Sequence, residues 1–256
     1  MCIRDRLTAY TLIASKNEKI NRLTTDSVVF IDPTLNPDGR DRHSQWANQY
    51  KSINLVADSN DAEHNESWPR GRTNHYWFDL NRDWLLAIHP EIRGKLNWLH
   101  EWYPNVVVDV HEMGTNSNYF FDPMKPSASV KPLIPQENVD LYPIFAEYYI
   151  KYMDSIGSFY YSKESFDETY PGYGSTYSDL QGGLALLFEQ ASSRGHVQET
   201  NYGEMTFGFT IRNQFLNGIA TVEAAVDNKM LLRDYQKRFF ELSLIHISEP
   251  TRHRLI

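Results

Sequence analysis

The stretch NVVVDVHEMG, Asn105 to Gly114, closes a nearly continuous apolar run with Asp109, His111 and Glu112. An imidazole and carboxylates at the tip of a buried run have the chemistry to bind a divalent metal or to exchange protons near neutral pH. A second run, GLALLFEQ from Gly183 to Gln190, closes with Glu189. A third, SVVFIDP from Ser27 to Pro33, carries Asp32 and is followed by NPDGR, Asn36 to Arg40, which reads as a turn. Arg72, Arg82 and Arg194 are cations of the kind that bind a carboxylate or steady a developing negative charge. Each of these residues also has an ordinary structural reading: a hydrogen-bonded core histidine, an ion-paired acid, surface arginines, and in DLNRDW a helix start capped by Asn81. A metal at His111 would need partners, and no histidine precedes Asn36.

The three apolar runs are short and nearly unbroken, as expected of strands buried on both faces of a mostly parallel sheet. Helix patterns lie between and after them. Pro90 suits the first turn of a helix that continues EIRGKLNWLHEWY with Ile92, Leu96 and Leu99 on one face. A second helix is predicted over Asp140 to Ile156, and a third from about Thr210 that buries Ile211, Phe215, Ile219, Val222 and Val226. The alternation predicts an α/β fold, a mostly parallel or mixed twisted sheet flanked by helices. Ligands bind such sheets beyond the carboxyl ends of the strands, where His111 and Glu189 fall. Between the elements, Asn48 to Arg72 and Phe121 to Gln136 read as long polar loops of the kind that wall binding sites.

The two ends read differently from the middle. Written as ATG TGT ATA AGA GAC AG, the codons for MCIRDR have a complementary strand that encodes Leu-Ser-Leu-Ile-His-Ile, the residues Leu242 to Ile247. Inverted copies of one DNA segment at both ends resemble the transposon adapters used for sequencing libraries, and SEPTR, Ser248 to Arg252, reads as continuing adapter. Residues 1–6 and 242–256 are therefore expected to be scars that pack poorly, and 7–241 to be a partial catalytic domain. The single cysteine, Cys2, falls in a scar, so the remainder offers no disulfide and no thiolate ligand. The formal net charge is -8 and the excluded ends are net basic. That balance argues against a nucleic-acid partner, and no run is long and apolar enough for a membrane span.

The ordered set NPDG (Asn36 to Gly39), GRTNHYWFDLNRDW (Gly71 to Trp84), HPE (His89 to Glu91), the run ending in His111, and Glu189 in LLFEQ resembles the zinc metallocarboxypeptidase family over nearly all of 7–241. HEMGTNSNYFFDP and YPGYGSTYSDLQGG are more similar to a bacterial group of predicted zinc carboxypeptidases. The resemblance implies zinc as the cofactor and a peptide with a free C-terminal carboxylate as the substrate. It implies that His111 is the third zinc ligand and Glu189 the general base toward a zinc-activated water. By the same resemblance Arg72 polarises the scissile carbonyl, Asn81 and Arg82 hold the substrate carboxylate, and Tyr170 closes over the substrate, with Tyr173 and Tyr177 as competing matches. Arg82 has the planar guanidinium that such a carboxylate site needs. Glu112 either orients a neighbouring group or faces solvent. The family draws its other two zinc ligands from a His-x-x-Glu motif upstream of NPDG. This chain is therefore expected to be an N-terminally truncated form with one protein ligand of three, inactive as it stands. A secreted or periplasmic location is implied by the bacterial resemblance. An amidase or deacylase on the same site, and a non-catalytic binding module that kept the fold, are the alternative functions.

Overall fold

A computed structural model describes residues 2–125 and 134–248, with side chains described for 3–125 and 134–243. In chain order the elements are α1 (Cys2–Ala14), α2 (Glu18–Thr25), α3 (Pro37–Tyr50), α4 (Pro90–Trp102), β1 (Val106–Met113) and β2 (Tyr119–Phe121). There follow α5 (Gln136–Val139), α6 (Leu141–Ser155), β3 (Tyr160–Tyr161), α7 (Gly174–Tyr177), β4 (Leu184–Ala191), β5 (Val197–Thr200), β6 (Gly203–Thr206), α8 (Phe207–Asp227) and α9 (Lys229–Ser248).

The main sheet is mixed and flanked by helices, with strand order β1-β4-β2-β3. β1 and β4 run parallel over eight residue pairs, β2 runs antiparallel to β4, and β3 runs parallel to β2. β5 and β6 form a separate antiparallel ribbon. Side chains alternate across a strand, so each central strand feeds two layers. Leu184, Leu186 and Phe188 pack with α6, α8 and α9 through Phe145, Tyr149, Ala220, Ala224 and Tyr235. Fully burying a leucine or phenylalanine stabilises a fold by about 1.5–3 kcal/mol. On the other face Val107 meets a smaller cluster of Leu80, Trp84, Ile92, Leu96, Leu99 and Tyr177. α4 forms as predicted: Pro90 opens it, Ile92, Leu96 and Leu99 are its buried stripe, and Tyr103 ends it in the left-handed region at φ 43°.

Three expectations need correction. SVVFIDP, Ser27 to Pro33, is not a strand: it finds no ladder partner among the described residues, and Val28 and Phe30 stay exposed. Phe30 instead sets its ring edge against Trp98 and Trp102 of α4, at 4.5 and 4.9 Å. NPDGR is not a turn but the start of α3. Asn36 Oδ1 accepts a hydrogen bond from the Gly39 amide, and Pro37 sits where a missing N–H costs nothing. α8 buries Ile219 and Val226 as expected but leaves Ile211, Phe215 and Val222 half-buried, and turns Asn213, Gln214 and Asn217 inward instead. Two of those amides are held by polar partners: Asn213 donates to Gln190 Oε1, and Gln214 donates to the His111 carbonyl.

At the ends, 2–6 open α1, where Ile3 is exposed while Asp5 is buried. Burial holds the Asp5 carboxyl above its ordinary range although Arg4 pulls it down. Leu244 and Ile245, expected to pack poorly, lie outside the residues whose side chains are described, as does part of the Phe121 to Gln136 loop. Among the described residues no helix is long and apolar enough to cross a membrane.

Candidate active site

The parallel register of β1 and β4 sets His111 directly opposite Glu189. Asp109, two residues before His111, points to the same face. His111 Nε2 lies 2.9 Å from Asp109 Oδ1 and 2.8 Å from Asn81 Nδ2. The orientation of the Asn81 amide is fixed by its other end, where Oδ1 accepts hydrogen bonds from the Gly174 amide at 2.8 Å and Trp84 Nε1 at 3.1 Å. Both partners are donors, so the oxygen must face them and Nδ2 must face Asp109, whose Oδ2 it reaches at 2.8 Å. Nε2 cannot both donate to Asp109 and accept from Asn81. Burial alone would pull the His111 pKa down, but the charge and hydrogen bond of Asp109 outweigh it and raise it. The proton therefore sits on Nε2 and points at Asp109. Asp109 responds in kind: burial opposes its charge, yet His111 and the Asn81 amide hold its carboxyl below the ordinary range.

Glu189 meets the opposite fate. Burial pushes its carboxyl up to about 7, and Asp109 and Glu112 push the same way against His111 and Arg72. An acid poised near neutrality beside an imidazole is what a proton-transfer role requires. Glu112, on the other face of β1, is exposed and accepts a hydrogen bond from Ser192 Oγ at 2.7 Å.

The segment from Gly71 to Trp84 brings the arginines to this face. Asn36, which caps α3, donates from Nδ2 to the Arg72 carbonyl at 3.1 Å. A side chain at Gly39 would collide with the Gly71 carbonyl, so the two glycines let α3 and the arginine segment touch. Arg72 Nε donates to Asp79 Oδ2 at 2.9 Å, and Arg82 Nη1 lies 3.8 Å from the same oxygen. The Asp79 Oδ1 atom caps the short turn Leu80–Arg82 by accepting from the Asn81 amide. Arg82 stacks its guanidinium 4.3 Å from the Tyr173 ring centroid, and the Tyr170 hydroxyl donates to the Arg82 carbonyl at 3.1 Å. Of the three tyrosines Tyr177 is buried and bonded to His100, while Tyr170 is partly exposed beside Arg82. Arg194 lies after β4 in the left-handed region at φ 53°.

Asp79 and Gly174 escaped the sequence reading, and Asp109 was named at the strand tip without a role. The D-x-H spacing within an apolar run was the available signal for Asp109, since residues two apart on a strand share a face. The donor set suits a metal in part. With Nε2 turned to a carboxylate, Nδ1 is the ring nitrogen left to serve as a ligand, the arrangement that fixes a metal-binding imidazole. Among the described residues the group of three metal-binding types whose ligand atoms lie within 4.8 Å of one another is Asp38, His75 and Glu91, and His111 is not in it.

The sequence profile of the family described as zinc carboxypeptidase matches residues 2–215. Among curated proteins no sequence match is found. Among solved structures the chain is similar to a metallo-carboxypeptidase from Burkholderia cenocepacia, with TM-score 0.57 and 16% identity over 88% of this chain and 52% of that one. A metallo-carboxypeptidase from Pseudomonas aeruginosa, in complex with (2-guanidinoethylmercapto)succinic acid, gives TM-score 0.57 and 14% identity over 88% and 53%. Thrombin activatable fibrinolysis inhibitor gives TM-score 0.54 and 14% identity over 91% and 61%. The chain thus spans about half the length of the bacterial structures it matches, and at these identities the likeness concerns the fold. With most of its length matched by one family profile, and with the sheet and helices of that fold, the chain belongs to the zinc carboxypeptidase family.

Proposed function

We propose that the protein from which this chain derives is a zinc-dependent carboxypeptidase that hydrolyses the C-terminal peptide bond of peptides. The observation that carries this reading is the in-register placement of His111 and Glu189, with the charge of Arg72 felt at both. His111 would hold zinc through Nδ1, and zinc, when bound, supplies the Lewis acidity that makes water a competent nucleophile near neutral pH. Glu189, a carboxyl balanced near 7, takes up a proton from the attacking water and returns it to the leaving amine. Arg72 donates to the oxygen of the scissile carbonyl as negative charge gathers there. Arg82 receives the substrate carboxylate with its planar guanidinium, which is anchored where Nη1 donates to the Asn81 carbonyl at 2.8 Å and where it stacks on the Tyr173 ring. Asn81 stands beside it, and Tyr170 covers the bound residue from the adjoining loop.

A catalytic zinc normally has three protein ligands. We therefore expect this chain, with His111 alone, to bind zinc weakly and to turn over peptides poorly, and a longer product of the same gene to do both. The test measures zinc content after dialysis and release of C-terminal residues, using free and C-terminally blocked peptides and N-acyl amino acids. Zinc-dependent cleavage confined to free-carboxylate peptides is the outcome expected of the longer product. Cleavage of the N-acyl amino acids alone would move the protein to the deacylases. Stoichiometric zinc and full activity in this chain would overturn the ligand assignment.

A further inference from the structure

The Asn81 amide has no hydrogen-bonding group pointing idly at solvent. Its oxygen takes two donors, Gly174 N and Trp84 Nε1, and its nitrogen donates to Asp109 while abutting His111 Nε2. These partners lie on three separate parts of the chain: the turn after Asp79, strand β1, and the loop from Tyr170 that runs into α7. We infer that Asn81 is a positioning residue, a joint that sets the tyrosine-bearing loop and the His111 imidazole by the same amide.

Two further observations bear on this joint. Gly174 lies so close to the pair that a Cβ there would come within 2.7 Å of Asp109 Oδ2 and 3.0 Å of Trp84 Cζ2, so loop and carboxylate are in contact as well as bonded through Asn81. The loop is then tied to Arg82: Trp84 N donates to the Gly172 carbonyl, the Tyr170 hydroxyl donates to the Arg82 carbonyl, and the Tyr173 ring lies against the Arg82 guanidinium. A shift of Asn81 must move Asp109, which orients the imidazole, and Gly174, which anchors the loop. In a buried network the loss of one member leaves its partners unsatisfied, so the effects do not stay local. The inference deepens the reading of Asn81 as a carboxylate-binding residue. A substrate carboxylate drawn to its Nδ2 would compete with Asp109, so arrival of substrate would be felt at His111.

The test uses the metal-free chain, so that it stands apart from the carboxypeptidase assignment. Nitrogen and proton NMR of the His111 ring and hydrogen exchange at the Gly174 amide are followed in three variants. Asn81→Ala is expected to change the His111 ring signals and to speed Gly174 exchange at least tenfold, both together. Asn81→Asp keeps an acceptor for Gly174 and Trp84 but loses the donor to Asp109, so Gly174 protection is expected to persist while the His111 signals change. Gly174→Ala, whose Cβ would crowd Asp109 and Trp84, is expected to move the His111 signals with residue 81 itself unchanged. The Asp variant has nearly the size of the native residue and keeps the experiment readable if the Ala variant unfolds. Unchanged His111 signals in the Asp and Gly174 variants would overturn the inference, whatever zinc or peptide assays show.

Discussion

Two clusters in this protein place one imidazole beside two carboxylates, and they are built in opposite ways. Asp109, His111 and Glu189 sit on paired strands, with the Asp109 and His111 side chains only 13% and 18% exposed. Asp38, His75 and Glu91 sit at helix ends and in a loop, with His75 54% exposed. Asp38 and Glu91 each follow a proline that opens a helix, α3 and α4, where the helix dipole favours an acid. The hydrogen bond from His75 holds the Asp38 carboxyl below its ordinary range, and water does the rest. Only Glu91 Oε2 is buried without a hydrogen-bond partner there. In the strand cluster burial works against every charge, and protein partners decide which groups keep theirs. Ligand atoms gathered closely therefore say less about chemistry than charges held against burial.

The comparison breaks most visibly in catalysis. In the longer, zinc-binding product proposed above, Glu189→Gln should lower kcat by roughly 10²–10⁴, the usual worth of a positioned acid-base group, with zinc content unchanged. Glu91→Gln should leave kcat within about twofold. A Glu91 variant as damaged as the Glu189 variant would put the chemistry in the wrong cluster. Next in size is the Asp109 pair. Asp109→Asn removes the carboxylate that accepts from the buried His111 ring, and breaking a buried pair by removing one partner typically costs about 3 kcal/mol. Urea unfolding at neutral pH measures that loss, and a change below about 1 kcal/mol would show that water already screens the pair.

The metal-free protein also has a pH signature. Glu189 titrates at about 7 in the fold against an ordinary 4.5, so the unfolded chain releases this proton first as pH rises. Its contribution to stability is intact below about 4.5, falls between 4.5 and 7, and is gone above 7. Glu189→Gln should therefore stabilise the metal-free protein by about 2–3 kcal/mol at pH 8 and hardly at all at pH 4. Equal effects at the two pH values would mean that burial does not hold the Glu189 carboxyl up.

Much of the strand cluster was legible because apolar runs that end in polar residues declare both a buried strand and its tip. That logic placed His111 and Glu189, and the helix stripe of Ile92, Leu96 and Leu99, where the structure has them. It failed for Ser27 to Pro33, whose sequence looks equally buried, because strand formation needs a partner edge that composition does not reveal. It failed again in α8, where buried amides replace apolar side chains; Asn213 and Gln214 are satisfied by Gln190 and the His111 carbonyl, partners far off in sequence. Asp79 was missed, and Asp109 left without a role, for a related reason. Their work is to hold other site residues, and only the folded distances tie Asp79 to Arg72 and Asp109 to Asn81.

The smallest effects should come from the exposed cluster. His75→Ala removes a hydrogen bond of 2.7 Å to Asp38, but both groups face water, and exposed ion pairs contribute about 0–1 kcal/mol. The acid keeps its place at the start of α3 and its favourable interaction with the helix dipole. Urea midpoints for His75→Ala should thus stay within about 1 kcal/mol of the native protein, and the pairing should weaken further as salt is added. In the same variant the changes that zinc produces in the His111 ring signals should be retained, because His111 and His75 serve different clusters. If His75→Ala instead abolished the zinc response while His111→Ala spared it, the metal would belong to the helix ends, and the contrast between the two clusters would have been drawn the wrong way round.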